Sequence, residues 1–444
     1  EHARRRVCAI LGASQWLGDY GIAQPSRAAA MNEKPGEPRD VLYEAVGAHS
    51  VGGGAWVAAP EASVDDLRAA YRRVVLHLAA DDLTSASPED MMPIVGELIA
   101  ALVDATLDAA LALARRDIDF SPEPGRFILT GSAVPADDAT RHTGATRFIR
   151  IRQRTMTWAE KTHALHTDGV SLSGLFQGHL PKGDLTTAPL SGIVSEVLRP
   201  GFPGLIDAPQ EIVVRSLVSY LQDIASTDVN RLANLRSEPV VIEQLLTALA
   251  RSTAAEASIG TLRKDISQVL PAPSETTMAK LLELLRRVFV LEALPAWTGA
   301  LRSKARLRRS PTYHLADPAL AAAALQADAA RLTADLNTLG LLFESAVIHD
   351  LLVYAEAIGG RVFRYRDSNN HEIDAVITMA DGSWGAVEVK LGGGQVERGK
   401  TSLNTAIAQI NADPPAFRAV ITGTGFTAVL PDGTLTFPLS ALRP

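Results

Sequence analysis

Glu372-Ile-Asp-Ala-Val-Ile377 and Ala386-Val-Glu-Val-Lys-Leu391 are two short, apolar runs, each broken by charge. Both have the length and composition of strands. Side chains alternate faces along a strand, so Glu388 and Lys390 point the same way. A hairpin between the runs brings Asp374 within reach of that face. Two carboxylates make an oxygen site suited to Mg2+. A lysine beside them can orient a water and offset charge on a phosphate in transfer. Glu344, on the helix before these strands, can supply a third carboxylate. A surface strand with an incidental Glu–Lys pair would show the same spacing. Here, however, the charges interrupt apolar strands, where burying them without partners is costly. Asp374 and Glu388 are therefore the candidate metal ligands, and Glu344, Asp374, Glu388 and Lys390 the candidate catalytic set.

Around these two runs, Tyr313–Leu315 reads as a short strand and 323–358 as helix. Arg361–Tyr365, Glu372–Thr378 and Gly385–Leu391 read as strands, 402–410 as helix, and Phe417–Ile421 as a last core strand. That order is mixed α/β around a central sheet. Upstream, 186–300 is helical. Ile242–Ala254, Ser258–Val269 and Glu275–Val290 have the layout of a helix-turn-helix or winged-helix unit. Arg126–Ser132 reads as a buried strand followed by a loop, and Arg147–Arg152 as a half-exposed strand. Residues 1–120 are helical around a polar break at 26–64, with a capping-box spacing at Ser63 and Asp66 and another helix start at Ser87-Pro88. The expected fold class is α/β multidomain: a helical fragment at 1–120, a partial ATPase-like segment at 121–185, a winged-helix-like helical domain at 186–311, and a nuclease-like α/β domain at 312–444.

Gly340-Leu-Leu-Phe-Glu-Ser-Ala-Val347, Phe363-Arg-Tyr-Arg366, Glu372-Ile-Asp374 and Val387-Glu-Val-Lys390 resemble the DUF4143 module. The carboxylate–lysine arrangement is that of a PD-(D/E)XK nuclease-like fold. Gly201-Phe-Pro-Gly204, Arg215–Tyr220 with Asp228, and Arg126–Ser132 extend the resemblance over about 123–444. In that family the module follows an AAA-type ATPase domain and a winged-helix-like segment. The resemblance implies ATP-linked, DNA-related work. It also makes Thr130, Ser132 and Arg147 a vestigial nucleotide site. No P-loop or acidic Walker-B strand precedes Gly125, so the ATPase is expected to be defective and ATP is not an expected ligand. Gly394-Gln-Val-Glu-Arg-Gly-Lys-Thr401 matches the P-loop spacing. Too little chain follows it to complete a P-loop sheet, so it reads as a mobile glycine loop beside the carboxylates.

Arg6–Asp19, Ala70–Leu83 and Leu98–Arg115 resemble glutamine-synthetase adenylyltransferase, over 1–117. The match stops before the glycine turn and Asp-x-Asp which hold two metal ions in that enzyme. Asp117-Ile-Asp119 has the spacing without the turn, so adenylyl transfer and removal are expected to be absent. A gene fusion near residue 120 accounts for both halves breaking where their motifs should lie.

Across its 444 residues the chain has 47% hydrophobic residues, a net charge of −7 and a single cysteine, Cys8. The charge argues against coating nucleic acid by bulk attraction. One cysteine excludes an internal disulfide and a cysteine zinc site, and fits a reducing, cytoplasmic setting. No stretch reads as a membrane span; Leu98–Ala114 is an amphipathic helix carrying Asp104 and Asp108. The first residues lack the shape of a signal peptide and read as a truncation. His163 and His166 lack a third ligand. Arg302, Lys304, Arg306, Arg308 and Arg309 form a basic run that reads as linker or as a phosphate contact. The expected partners are nucleic acid at the C-terminal site or a second copy of the chain. The alternatives are a non-catalytic DNA- or protein-binding module and a degenerate adenylyltransferase whose helices bind glutamine synthetase or a regulatory protein.

Overall fold

The computed structural model describes residues 2–13, 35–52, 55–117, 151–184, 188–228, 238–255, 257–297 and 311–444. The chain divides into two compact units, Glu1–Leu129 and Thr130–Pro444. Thr130, Ser132 and Arg147, the strand expected at Arg126–Ser132, and the basic run at 302–309 lie outside the described residues. Ile151 and Arg152, the described end of the second expected strand, are in no strand.

The first unit contains α1 (His2–Ala13), α2 (Pro38–Ala45), β1 (His49–Gly52), β2 (Ala55–Val57), α3 (Val64–Thr84) and α4 (Pro88–Asp117). Its core joins Leu42, Val74, Leu78, Leu102, Ala109 and Leu113. The Ser63 cap forms as expected: the Asp66 N–H donates to Ser63 Oγ (3.2 Å) and the Ser63 N–H to Asp66 Oδ2 (2.8 Å). The break at 26–64 is not wholly irregular, since α2 and the β1–β2 hairpin fall inside it.

The second unit begins with α5 (Trp158–Lys161), β3 (Val170–Ser171) and α6 (Leu172–Phe176). A helical module follows: α7 (Leu190–Leu198), α8 (Gln210–Asp223), α9 (Pro239–Arg251), α10 (Ile259–Ile266) and α11 (Glu275–Arg287). Ser258 and Ser274 cap α10 and α11 with their hydroxyls. β4 (Leu291–Leu294) then pairs antiparallel with β5 (Thr312–Leu315). The strand expected at 313–315 thus completes a hairpin with the helical module, across the expected boundary at 311/312.

The long helix expected at 323–358 is instead α12 (Pro318–Ala324), α13 (Ala329–Ala334) and α14 (Leu336–Ala357). Asp328 and Asp335 each accept backbone N–H bonds at the start of a new helix, and so cut the alanine-rich run. α14 is long and apolar enough to cross a membrane by length and composition alone, but it is mostly buried inside the protein, as a core helix is.

β6 (Arg361–Arg366), β7 (Glu372–Thr378), β8 (Trp384–Lys390), α15 (Val396–Ile407), β9 (Phe417–Thr422), β10 (Ala428–Val429), β11 (Leu435–Pro438) and β12 (Leu442–Arg443) complete the chain. The main sheet runs β10-β11-β9-β8-β7-β6. Its β6/β7 and β7/β8 pairs are antiparallel, and its β8/β9 and β11/β9 pairs parallel. The small pair β12/β3 ties the C-terminus to the start of the unit. Alternation along β8 sends Val387 and Val389 into the core containing Phe343 and Val347 of α14. Ala386 instead packs with Leu403 and Ala406 of α15.

Candidate functional site

β7 and β8 form the expected hairpin, with Ala375 opposite Val387. One further step in that register sets Asp374 opposite Glu388. Asp374 leaves the regular ladder at this point. Between the pairs Phe363–Val376 and Tyr365–Ile373, β7 carries one residue more than β6. Asp374 and Ala375 therefore both stand against Arg364, which is a β-bulge. Bulges re-aim a side chain where a ladder is interrupted. Asp374 Oδ2 accepts the Val389 N–H at 2.7 Å. On β8, Lys390 Nζ donates to Glu388 Oε1 at 2.8 Å.

Electrostatics draw Glu344 of α14 into the same group. Burial, then the charge of Asp374, pushes its carboxyl well above the ordinary range, and Lys390 pulls the other way. Burial raises Asp374, opposed by Lys390 and by the Val389 N–H. Burial and Asp374 push Glu388 up to about 8. Burial works against the charge on Lys390, but Glu388 and Asp374 outweigh it and hold its pKa above normal. Glu344 and Asp374 nevertheless keep part of their surface open. The structure thus brings all four expected residues, Glu344, Asp374, Glu388 and Lys390, within one electrostatic neighbourhood.

The fit of a divalent cation to this group of side chains turns on their donor atoms. Glu388 Oε2 is buried and makes no hydrogen bond. Apart from that oxygen, the Ser402 hydroxyl of α15 adds a weak hydrogen-bonding influence on this carboxyl, smaller than that of Lys390. A buried carboxylate oxygen without a partner is costly unless something positive completes it. The oxygens of three carboxyls are the hard donors that Mg2+ prefers. Among the described residues no group of three or more His, Cys, Asp or Glu side chains is drawn together as a ready-made metal cage. The Lys390 ammonium holds one Glu388 oxygen, and the Val389 N–H holds one of Asp374.

The P-loop look-alike is not a loop. Gly399, Lys400 and Thr401 lie inside α15, where Lys400 pairs with Glu397 (2.6 Å) and Thr401 Oγ1 donates to the Glu397 carbonyl (2.9 Å). A mobile glycine loop is thereby corrected to a helix packed on the site. A Cβ at Gly399 would meet Lys390 Cγ and Val420 Cγ1 at 3.1 Å and Glu388 Cγ at 3.5 Å. Arg364, which no chemical motif in the sequence singles out, has a charge that lowers the pKa of both Glu344 and Asp374. A clue was available in Arg361-Val-Phe-Arg-Tyr-Arg366, where the middle arginine falls on an inward position.

Two family models match this unit. DUF8612, a domain of unknown function, matches 193–331, and DUF4143, also a domain of unknown function, matches 339–442. The chain is also similar to two curated bifunctional glutamine synthetase adenylyltransferase/adenylyl-removing enzymes. With the one from Leifsonia xyli subsp. xyli it shares 38% identity over 129 residues, 28% of this chain and 12% of that protein. With the one from Cutibacterium acnes it shares 36% over 118 residues, 25% of this chain and 12% of that protein. The chain thus spans 12% of the length of either relative. A DUF4143 domain joined to a segment homologous to adenylyltransferases is consistent with the expected fusion. No solved structure matches the chain.

Proposed function

We propose that the C-terminal module is a Mg2+-dependent phosphodiesterase of the PD-(D/E)XK kind, acting on nucleic acid. The order α14, β6, β7, β8, α15, β9, with an antiparallel hairpin carrying Asp374 and Glu-x-Lys, supports that fold assignment. The observation that carries the reading is the cluster of charge around Lys390. Three carboxyls crowd one lysine, and one buried Glu388 oxygen has no partner. Such crowding opposes folding, and perturbed acidity of this kind concentrates at functional sites.

Asp374 and Glu388 would hold the ion, with Glu344 as an adjoining carboxylate. Bound Mg2+ supplies Lewis-acid activation of the phosphate and lowers the pKa of an attacking water. Lys390, held by Glu388, steadies that water and offsets charge on the phosphate. The helical module offers nucleic acid a second surface. α9, α10 and α11 followed by the β4–β5 hairpin give a winged-helix-like order, and the sequence joining the two strands carries Arg302, Lys304, Arg306, Arg308 and Arg309. That order also favours a second reading, a non-catalytic nucleic-acid-binding module. We assign neither ATP hydrolysis nor adenylyl transfer to the chain, since its sequence lacks the phosphate loop and the Asp-x-Asp turn those reactions use.

The full chain should be incubated with single- and double-stranded DNA and RNA, with Mg2+ or with EDTA. Cleavage sensitive to EDTA is expected, and Lys390→Ala should slow it by about a hundredfold or more. Equal rates in wild type and Lys390→Ala, or binding without cleavage, would remove the catalytic reading in favour of the binding one.

A further inference from the structure

Arg364 stands where the helical module meets the sheet. Its backbone faces away from the bulge and is taken up by the chain just after β4. The Arg364 N–H donates to the Pro295 carbonyl (2.9 Å), and the Trp297 N–H donates to the Arg364 carbonyl (2.7 Å). Ala296 and Arg364 form a parallel bridge. The guanidinium is buried. Its Nη1 donates to Thr312 Oγ1 of β5 at 2.6 Å, and its Nη2 lies 3.5 Å from Glu372 Oε2. On the same face of β5, two residues on, His314 Nδ1 lies 3.2 Å from Ser345 Oγ, next in the chain to Glu344. One strand outside the matched 339–442 segment therefore touches the neighbours of two candidate carboxylates.

We propose that Arg364 is a positioning residue of the candidate site, with Thr312 of β5 holding it in place so that the Asp374 bulge is set by the seating of the β4–β5 hairpin. The inference rests on the reading of Asp374 as a site residue. A bulge has lost part of its ladder, so its geometry needs support from elsewhere. Partners behind a metal ligand commonly fix its orientation. An arginine fork is suited to this because it makes directional bonds to several acceptors at once. Glu372 also pairs with Arg366 at 3.0 Å. Glu344, Glu388 and Lys390 are in electrostatic reach of Asp374.

Thr312→Val in the full chain removes the hydroxyl acceptor without changing charge. Arg364→Lys keeps the charge and loses the fork. In both, exchange of the Val389 amide, which donates to Asp374, should quicken about tenfold or more, while amides in the regular Ile377–Gly385 pairing hold their protection. Affinity for Mn2+ at fixed pH should fall about tenfold or more in both variants. If Arg364 acted by charge alone, Arg364→Lys would match wild type, and the proposal would be overturned. Unchanged Val389 protection in both variants would overturn it too. Loosened Val389 with no Mn2+ bound even by wild type would leave Arg364 as the support of the bulge and remove the metal reading instead.

Discussion

Among the described residues of the first unit, acidic side chains stand in water or beside a cation of their own; in the C-terminal module Glu344, Asp374 and Glu388 crowd around a single lysine. Asp65, Asp104 and Asp108 are exposed, and Asp81 pairs with Arg6 and with His77. Glu344, Asp374 and Glu388 instead share Lys390, with the charge of Arg364 acting on the first two, and all three have raised pKa values. The first arrangement is what folding alone selects, since exposed carboxylates cost nothing in desolvation and paired ones little. The second opposes folding and calls for a different reason to exist, which the proposed cation and phosphate chemistry supplies.

Breaking one ion pair in each region gives the largest contrast. Lys390→Ala strands a buried carboxylate cluster and should lower stability by about 2–3 kcal/mol at pH 8, read from urea midpoints. Arg68→Ala removes a pair between two exposed side chains, Arg68 and Asp65, and should cost less than about 0.5 kcal/mol. Equal losses would erase the distinction.

Removing an acid should act in the opposite sense. Glu344→Gln relieves the crowding and should stabilise the metal-free chain by about 1–2 kcal/mol at pH 8, while Asp104→Asn changes it by less than about 0.5 kcal/mol. The pH dependence follows from the sign. Folding raises Glu388 from 4.5 to about 8, so its contribution to stability is intact below pH 4.5 and is lost as pH rises through about 8. Metal-free wild type should therefore have a lower urea midpoint at pH 8.5 than at pH 5.5, and Glu388→Gln should flatten that difference. A midpoint that rises over this interval would contradict the assigned acidity.

Glycines give the finest contrast. Gly96 lies in α4, where a Cβ meets nothing within 4 Å, so Gly96→Ala should stabilise by about 0.5–1 kcal/mol. Gly399→Ala gains the same helical preference but presses a Cβ onto Lys390 and Val420, so its thermal midpoint should fall or stay level.

Sequence alone exposed the strands that carry the site, because β7, β8 and β9 are largely apolar runs and β6 alternates apolar or aromatic residues with arginines. It also exposed Asp374, Glu388 and Lys390, because charge in such runs is conspicuous. β4 was hidden: Leu291-Glu-Ala-Leu294 suits a helix as well as a strand and follows α11 closely. Asp328 and Asp335 were legible as caps but were outweighed by the alanines around them. The bulge at Asp374 had no local signature, since a register shift exists only between two strands. Arg364 shared that fate: its meaning comes from Thr312, Pro295 and Trp297, all distant in sequence.

The crowded carboxyls are proposed to form a cation site. Calorimetric titration of Mg2+ into wild type and Asp374→Asn at pH 7, in two buffers of different ionisation heat, tests it directly. Wild type should bind with release of protons, because the cation displaces those held by Glu344 and Glu388, and Asp374→Asn should lose the binding. No binding by wild type at millimolar Mg2+, or the same binding in the variant, would contradict it.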